Sequence, residues 1–337
     1  MVEQAQAFWV REPGVGELRD VRLGDPRSDE VLVRTLSSGI SRGTEALVFS
    51  GRVPPDQYAA MRAPFQEGDL PGPVKYGYLN VGVVERGPDA LRGRTVFCLY
   101  PHQTAYVAPA EAVVEVPAGV PARRAVLAGT VETAVNALWD AAPLVGDRVA
   151  VVGAGMVGCC VARLLARIPG VEVTLVDPVA ARATTAAALG VGFAAPEEAV
   201  GACDLVLHAS ATATGLQHAL DLLATDGTVV DLSWYGDTPV ELRLGGAFHS
   251  RRLSIRSSQV GTLSPARAHR RTTRDRLRLA LELLHDDAFD VLLTGRSRFE
   301  DLPVTMARLV SGTGAPLCHV VDYGPVGQPS GGAPCSP

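Results

Sequence analysis

The chain has 337 residues, 47% of them hydrophobic and 20% charged, with a formal net charge of −5. That length carries two domains with substantial cores, and the mild acidity, with Arg far outnumbering Lys, gives no reason to expect a nucleic-acid or anionic-membrane partner. No apolar run reaches membrane-spanning length, the N-terminus lacks a charged-then-apolar leader, and the six cysteines form no CxxC pair, so a cytoplasmic protein with reduced thiols is expected.

In chain order, residues 1–117 are rich in Gly, Pro and Val, with short β-like runs at Gln6–Val10, Glu30–Ser37, Leu79–Glu85, Thr95–Leu99 and Thr104–Pro109. This reads as a compact, irregular β domain. An Ala-rich helical stretch, Pro121–Ala142, leads into residues 118–287, where strands and helices alternate as in a parallel sheet covered on both faces. Strands are expected before Gly153, at Val171–Val176, near Gly192, and at Asp204–His208, Gly227–Leu232 and Leu253–Ser257. Helices are expected at Cys159–Ile168, Ala180–Leu189, Gly215–Leu223 and Arg274–His285, and the basic cluster Arg267–Arg278 reads as a solvated helix face. Residues 288–323, with a helix at Phe299–Val310 and a strand at Leu317–Tyr323, are expected to return to the first domain, and 324–337 to form a disordered tail.

The densest chemistry lies at Gly153-Ala154-Gly155-Met156-Val157-Gly158, between an apolar strand and a helix, with Asp177 closing the next strand. Strand, glycine turn, helix, strand and terminal acid form a dinucleotide-binding fingerprint. Gly153 allows the tight turn, Gly155 lets the backbone approach a pyrophosphate, and Gly158 lets helix and strand pack closely. The helix N-terminus at Met156 and Val157 offers N–H groups to phosphate. Asp177 is expected to bind both ribose hydroxyls and repel a 2′-phosphate, which favours NAD(H) over NADP(H). Arg182 either stacks over adenine or is a solvated helix residue, and His208 ends a strand at the sheet edge where ligands sit.

An irregular β domain, a central Rossmann domain and a short return segment resemble the medium-chain dehydrogenase/reductase superfamily. Three segments carry the likeness. Ser38–Glu45 resembles the loop GICGTD, Gly77–Glu85 resembles GHExxGxVxE, and Gly129–Leu138 resembles the helix CAGxTxxxAL. The loop Ser38–Glu45 with Ser50–Pro54 also resembles bacteriochlorophyllide a dehydrogenase, and Glu132–Ala134, Leu232–Gly236 and Phe248–Leu253 resemble uncharacterised bacterial zinc-type dehydrogenases. The resemblance implies an α/β fold: a doubly wound six-stranded parallel Rossmann sheet beside a GroES-like β domain. It also implies dimerisation through the edge strand Leu253–Ser257.

The departures bear on chemistry. The family's zinc ligands fall at Ser41, Tyr78 and Gly129, and its adjacent glutamate at Leu79, a set that does not suit zinc. The four-cysteine structural lobe is missing between Gly82 and Val113. No metal is therefore expected. Hydrogen-bond donors and an acid/base group must then serve the substrate, and the candidates are Ser41, Arg42, Thr44, Glu45, Lys75, Tyr78, Tyr100, His102 and Glu132.

Tyr78 either donates to a substrate oxygen or fills the vacated metal site; Glu132 is a base beside the cofactor or a helix-start glutamate. Ser41 or Lys75 would orient substrate, Glu45 would act there or pair with Arg42, and His102 is a pocket or surface residue. By the resemblance Thr133, Ser233 and Ser258 approach the nicotinamide, with Trp234 and Tyr235 as an aromatic wall or packing. The expected function is a zinc-independent NAD(H)-dependent oxidoreductase acting on an alcohol/carbonyl pair, or imine, of a polar small molecule. The alternatives are an enoyl- or quinone-type reductase of activated double bonds and a non-catalytic nucleotide-binding protein.

Overall fold

The apolar runs of the middle of the chain assemble into one parallel sheet. In the computed structural model, which describes residues 3–311 and 316–324, its strands are Arg148–Val152, Glu172–Val176, Gly192–Ala194, Cys203–His208, Leu223–Asp231 and Ser254–Ser257. Numbered along the chain, they lie in the spatial order 3-2-1-4-5-6, all parallel. This is the doubly wound arrangement, with its switch point between the first and fourth strands. Successive side chains point to opposite faces. Val149, Val151, Leu175, Leu205 and Leu207 therefore pack with helices Ala128–Ala141, Met156–Leu165 and Thr273–Leu283. Ala150, Val152, Val206 and Val229 pack against Leu216, Ala219 and Leu220 of helix Ala213–Asp221.

Strand Glu30–Ile40 is the spine of the first domain. It pairs antiparallel with Asn80–Arg86, with Ala105–Pro109 and with the late strand Cys318–Asp322. Strand Leu293–Arg298 adds in parallel beyond Cys318–Asp322, so the chain's late residues rejoin the first sheet. The tail, apart from Gly324, lies outside the described residues. Among the described residues no helix is long and apolar enough to cross a membrane. Cys98, Cys159, Cys160, Cys203 and Cys318 are buried and unpaired by disulfide.

Three segments differ from the reading of the sequence. Residues 42–49, within and beyond the loop-like stretch Ser38–Glu45, form a helix. The Ala-rich stretch divides into helices Ala122–Ala125 and Ala128–Ala141, the second closed by Ala142 in the left-handed region at φ 51°. Helix Thr273–Leu283 opens with a reciprocal capping box between Thr272 and Asp275, and its basic face is not wholly solvated. Arg276 is buried, donating to Glu132 at 3.0 Å, to Asn136 at 2.6 Å and to the Val260 carbonyl at 2.6 Å.

Candidate active site

The glycine turn has the geometry that its spacing implies. Gly153 has φ +106°, and a Cβ there would lie 2.7 Å from the Ser210 nitrogen. A Cβ on Gly158 would lie 1.9 Å from the Gly153 carbonyl oxygen, whereas one on Gly155 would meet nothing within 4 Å. Gly155 caps helix Met156–Leu165 without a side-chain acceptor, leaving the first-turn N–H groups to a ligand. Met156 itself is buried, its sulfur accepting from Thr130 at 3.7 Å, and Val157 packs against the core. The Asp177 carboxylate is fixed by backbone N–H groups, Ala154 donating to one oxygen at 2.8 Å and Val179 to the other at 2.9 Å.

Gly153, Ala154, Gly155, Asp177 and Val179 line a cleft of about 490 Å³ whose wall also includes Arg182, Ser210, His218 and, from the early part of the chain, Arg42. A negatively charged ligand in this cleft would meet guanidinium groups from both sides. The domains are joined beside it. Arg52 donates to Thr238 at 2.6 Å and to Asp237 at 3.2 Å, and Gly236, at φ +64°, lies against Leu47 and the Arg52 carbonyl. Trp234 packs against the apolar cluster that includes Phe8, Val48 and Phe49, as Leu47 and Tyr58 also do.

At the carboxyl edge of the sheet a polar network sets the cleft floor. His208, wholly buried, engages Asp231 through Nδ1 at 2.9 Å and the Ser210 hydroxyl through Nε2 at 2.6 Å. Tyr235 donates to the other Asp231 oxygen at 2.9 Å, and the Ser233 N–H donates to Asp231 at 2.9 Å. Burial pushes the Asp231 carboxyl up, but the His208, Ser233 and Tyr235 hydrogen bonds outweigh it and hold the group below its ordinary value. Ser233 Oγ accepts from the Ala211 N–H at 3.1 Å and thereby ties the two loops together.

Across the cleft, the positions matching the family's metal ligands hold a different constellation. A Cβ on Gly129 would lie 2.6 Å from a Leu79 methyl, so hydrocarbon occupies that side. Among the described residues no three His, Cys, Asp or Glu side chains converge as metal ligands. The donor set does not fit zinc. In its place Glu45 is buried, one oxygen accepting the Ser41 N–H at 2.8 Å and the other 2.8 Å from His102 Nε2. His102 Nδ1 lies 2.7 Å from the Ser38 hydroxyl, which lies 2.8 Å from the Tyr323 phenol.

Tyr78 stands beside this group. Burial and then the Glu45 charge push its phenol up to about 12, with the Ser41 and Thr44 hydroxyls working the other way. It keeps its proton at neutral pH.

Other sequence candidates are committed elsewhere. Lys75 is fully buried and its ammonium is tied to Glu67 and, at 2.9 Å, to Gln103, under the Tyr100 ring. Burial lowers its pKa, with Glu67 opposing. An ammonium so enclosed does not orient a substrate. Glu132 is likewise paired with Arg276 rather than facing the cleft as a free base. Burial raises the Glu132 carboxyl while the Arg276 charge opposes, and breaking one side of such a pair leaves a buried charge uncompensated. The Thr133 hydroxyl bonds back to the Gly129 carbonyl at 2.9 Å, and the Ser258 hydroxyl donates to Asp140 at 2.6 Å. Glu45 pairs with His102, not with Arg42, which is exposed and lines the glycine-turn cleft. Ser38 and Tyr323 were not among the sequence candidates for catalysis. The one local signal was Gly77 at φ +123°, where a Cβ would lie 2.8 Å from the His102 ring.

No protein-family model matches the chain, and no curated protein matches it by sequence. Solved structures do match. L-idonate 5-dehydrogenase from Escherichia coli K-12 superposes with a TM-score of 0.79 at 15% identity, covering 96% of this chain and 99% of that one. An alcohol dehydrogenase from E. coli CFT073, complexed with NADH, gives 0.75 at 16% identity over 95% and 99%. A putative zinc-binding dehydrogenase from Sinorhizobium meliloti 1021, bound to NADP, gives 0.75 at 17% over 95% and 100%. At these identities the likeness establishes the shared fold, with its doubly wound parallel sheet.

Proposed function

We propose that this chain is a zinc-independent medium-chain dehydrogenase/reductase that uses NAD(H) on an alcohol/carbonyl pair, or imine, of a polar small molecule. The observation that carries the reading is that Arg42, which lines the glycine-turn cleft, opens the helix whose Glu45 pairs with buried His102 near the Tyr78, Ser41 and Thr44 hydroxyls. The similar solved structures with NADH and NADP support a nicotinamide cofactor. When bound, that group donates or accepts the hydride.

This chain's residues do the rest. Gly155 and the first-turn N–H groups receive the pyrophosphate, with Arg42 and Arg182 adding positive charge, and Asp177 accepts from the adenosine ribose. His208, Asp231 and Tyr235 hold the Ser210 and Ser233 loops in register beneath it. Tyr78, protonated at neutral pH, donates to the substrate oxygen, and Glu45 is the acid/base group behind it.

The NADH preference rests on Asp177, since a fixed carboxylate repels a 2′-phosphate. Fluorescence titration is expected to give NADH an affinity about tenfold or more above NADPH, a difference of about 1.4 kcal/mol, and Asp177→Ser is expected to narrow that gap. Equal or reversed affinities in the unaltered chain would overturn the assignment. NADH oxidation against matched carbonyl and enone panels separates the reading from a double-bond reductase. Binding without turnover on either panel would favour a non-catalytic protein.

A further inference from the structure

We infer that Glu45, His102, Ser38 and Tyr323 form a proton relay that takes up the reaction's proton at Glu45 and His102 and passes it along to Tyr323; this rests on the oxidoreductase reading. The four groups come from helix Arg42–Phe49, the loop after strand Thr95–Cys98, strand Glu30–Ile40 and the residue after strand Cys318–Asp322. Glu45, His102 and Ser38 are 3%, 1% and 0% exposed, and the links between the four groups are 2.8, 2.7 and 2.8 Å. Tyr323 is half-buried, its ring stacked on Phe299, and it forms the far end of the chain, just before the exposed Gly324.

Counting donors fixes the direction. An ionised Glu45 only accepts, so His102 Nε2–H donates to it. The Nδ1 of that neutral ring only accepts, so the Ser38 hydroxyl donates to Nδ1, and Tyr323 donates to Ser38. Each donor has one acceptor. Adding a proton to His102 reverses the outer links: Nδ1–H donates to Ser38, the Ser38 hydrogen turns to Tyr323, and the Tyr323 hydrogen turns away from Ser38. The chain thus has two fully bonded states that differ by one proton. Neither requires a serine alkoxide or a phenolate, and burial places the Tyr323 phenolate far out of reach.

When an alcohol is oxidised, its C–H bond breaks and the hydrogen leaves with the electron pair to the nicotinamide. The O–H bond breaks, its electrons form the carbonyl, and its proton passes to the Glu45–His102 pair. That pair then holds a carboxylate beside an imidazolium, which passes one proton along through Ser38 to Tyr323. Carbonyl reduction runs the same path in reverse.

Two measurements test the relay. The first is ¹⁵N NMR of the histidine rings in the cofactor-free chain, with His102 assigned by its loss in His102→Gln. His102 is expected as the Nε2–H tautomer, and Ser38→Ala is expected to move its Nδ1 resonance; an unmoved resonance would overturn the hydrogen-bonded chain. The second is steady-state kinetics with NADH. Tyr323→Phe and Ser38→Ala are each expected to lower kcat about tenfold with KM unchanged, a smaller loss than the 10²- to 10⁴-fold that a group acting directly as general acid or base contributes. Full kcat in both variants, with an active unaltered chain, overturns the relay alone. Absence of turnover in the unaltered chain on every panel overturns the oxidoreductase reading and the relay's catalytic role together, whatever the NMR shows.

Discussion

Gly158→Ala is expected to destabilise the protein by about 3 kcal/mol and to abolish NADH binding, the largest stability effect of any single methyl group in the nucleotide domain. The added Cβ would stand 1.9 Å from the Gly153 carbonyl oxygen. That oxygen belongs to the turn's own backbone and has no side-chain freedom with which to retreat. Helix Met156–Leu165 must therefore lift from strand Arg148–Val152, which opens the core around Val151 and Cys159. Gly155→Ala is the control. Its Cβ meets nothing within 4 Å and its φ of −77° suits any residue, so the poorer cap that Ala makes and the unfolded-chain entropy that it removes oppose each other, and stability should change by less than about 1 kcal/mol. Its methyl group points into the space the pyrophosphate is proposed to fill, and NADH affinity should still fall. Urea unfolding with an unchanged slope, beside NADH titration, separates the two outcomes. Equal stability loss in both variants would contradict the roles given to the two glycines.

Glu45→Gln is expected to lower kcat about 10²- to 10⁴-fold while leaving NADH affinity unchanged, the range general acid–base groups contribute. The amide oxygen still accepts the Ser41 N–H that holds the first turn of helix Arg42–Phe49. What is lost is the group that takes or gives a proton beside Tyr78 and His102. Stopped-flow hydride transfer measures this directly. An unaltered rate would remove Glu45 from the chemistry and leave it a helix-capping residue.

The glycine turn of the candidate site was legible in the sequence because its determinants are local. Three glycines, a strand before them and an acid after the next strand lie within one βαβ unit, and each glycine answers to a backbone contact that any side chain would obstruct. The rest was legible only in outline. The positions Ser41, Tyr78 and Gly129 could be placed by likeness, but their partners lie far along the chain. Glu45 and His102 are 57 residues apart, and Ser38 and Tyr323 are 285 apart, joined only when the late strand returns to the first sheet. Glu132 was misjudged for the same reason: its partner Arg276 is 144 residues away, inside a basic helix face whose other charges are mostly solvated. Lys75 read as a candidate to orient substrate because its pairing with Glu67 and Gln103 depends on the folded β segments and leaves no local signal. Local pattern reports backbone requirements well, and long-range pairing of charges poorly.

Everything proposed for the reaction depends on hydride chemistry without a metal in the catalytic centre. The most direct measurement is the metal content and NADH turnover of one preparation, before and after dialysis against a strong zinc chelator. Far less than one zinc per chain is expected at the outset, with a turnover rate unchanged by the chelator. Stoichiometric zinc, with activity lost on chelation and restored by zinc, would contradict it.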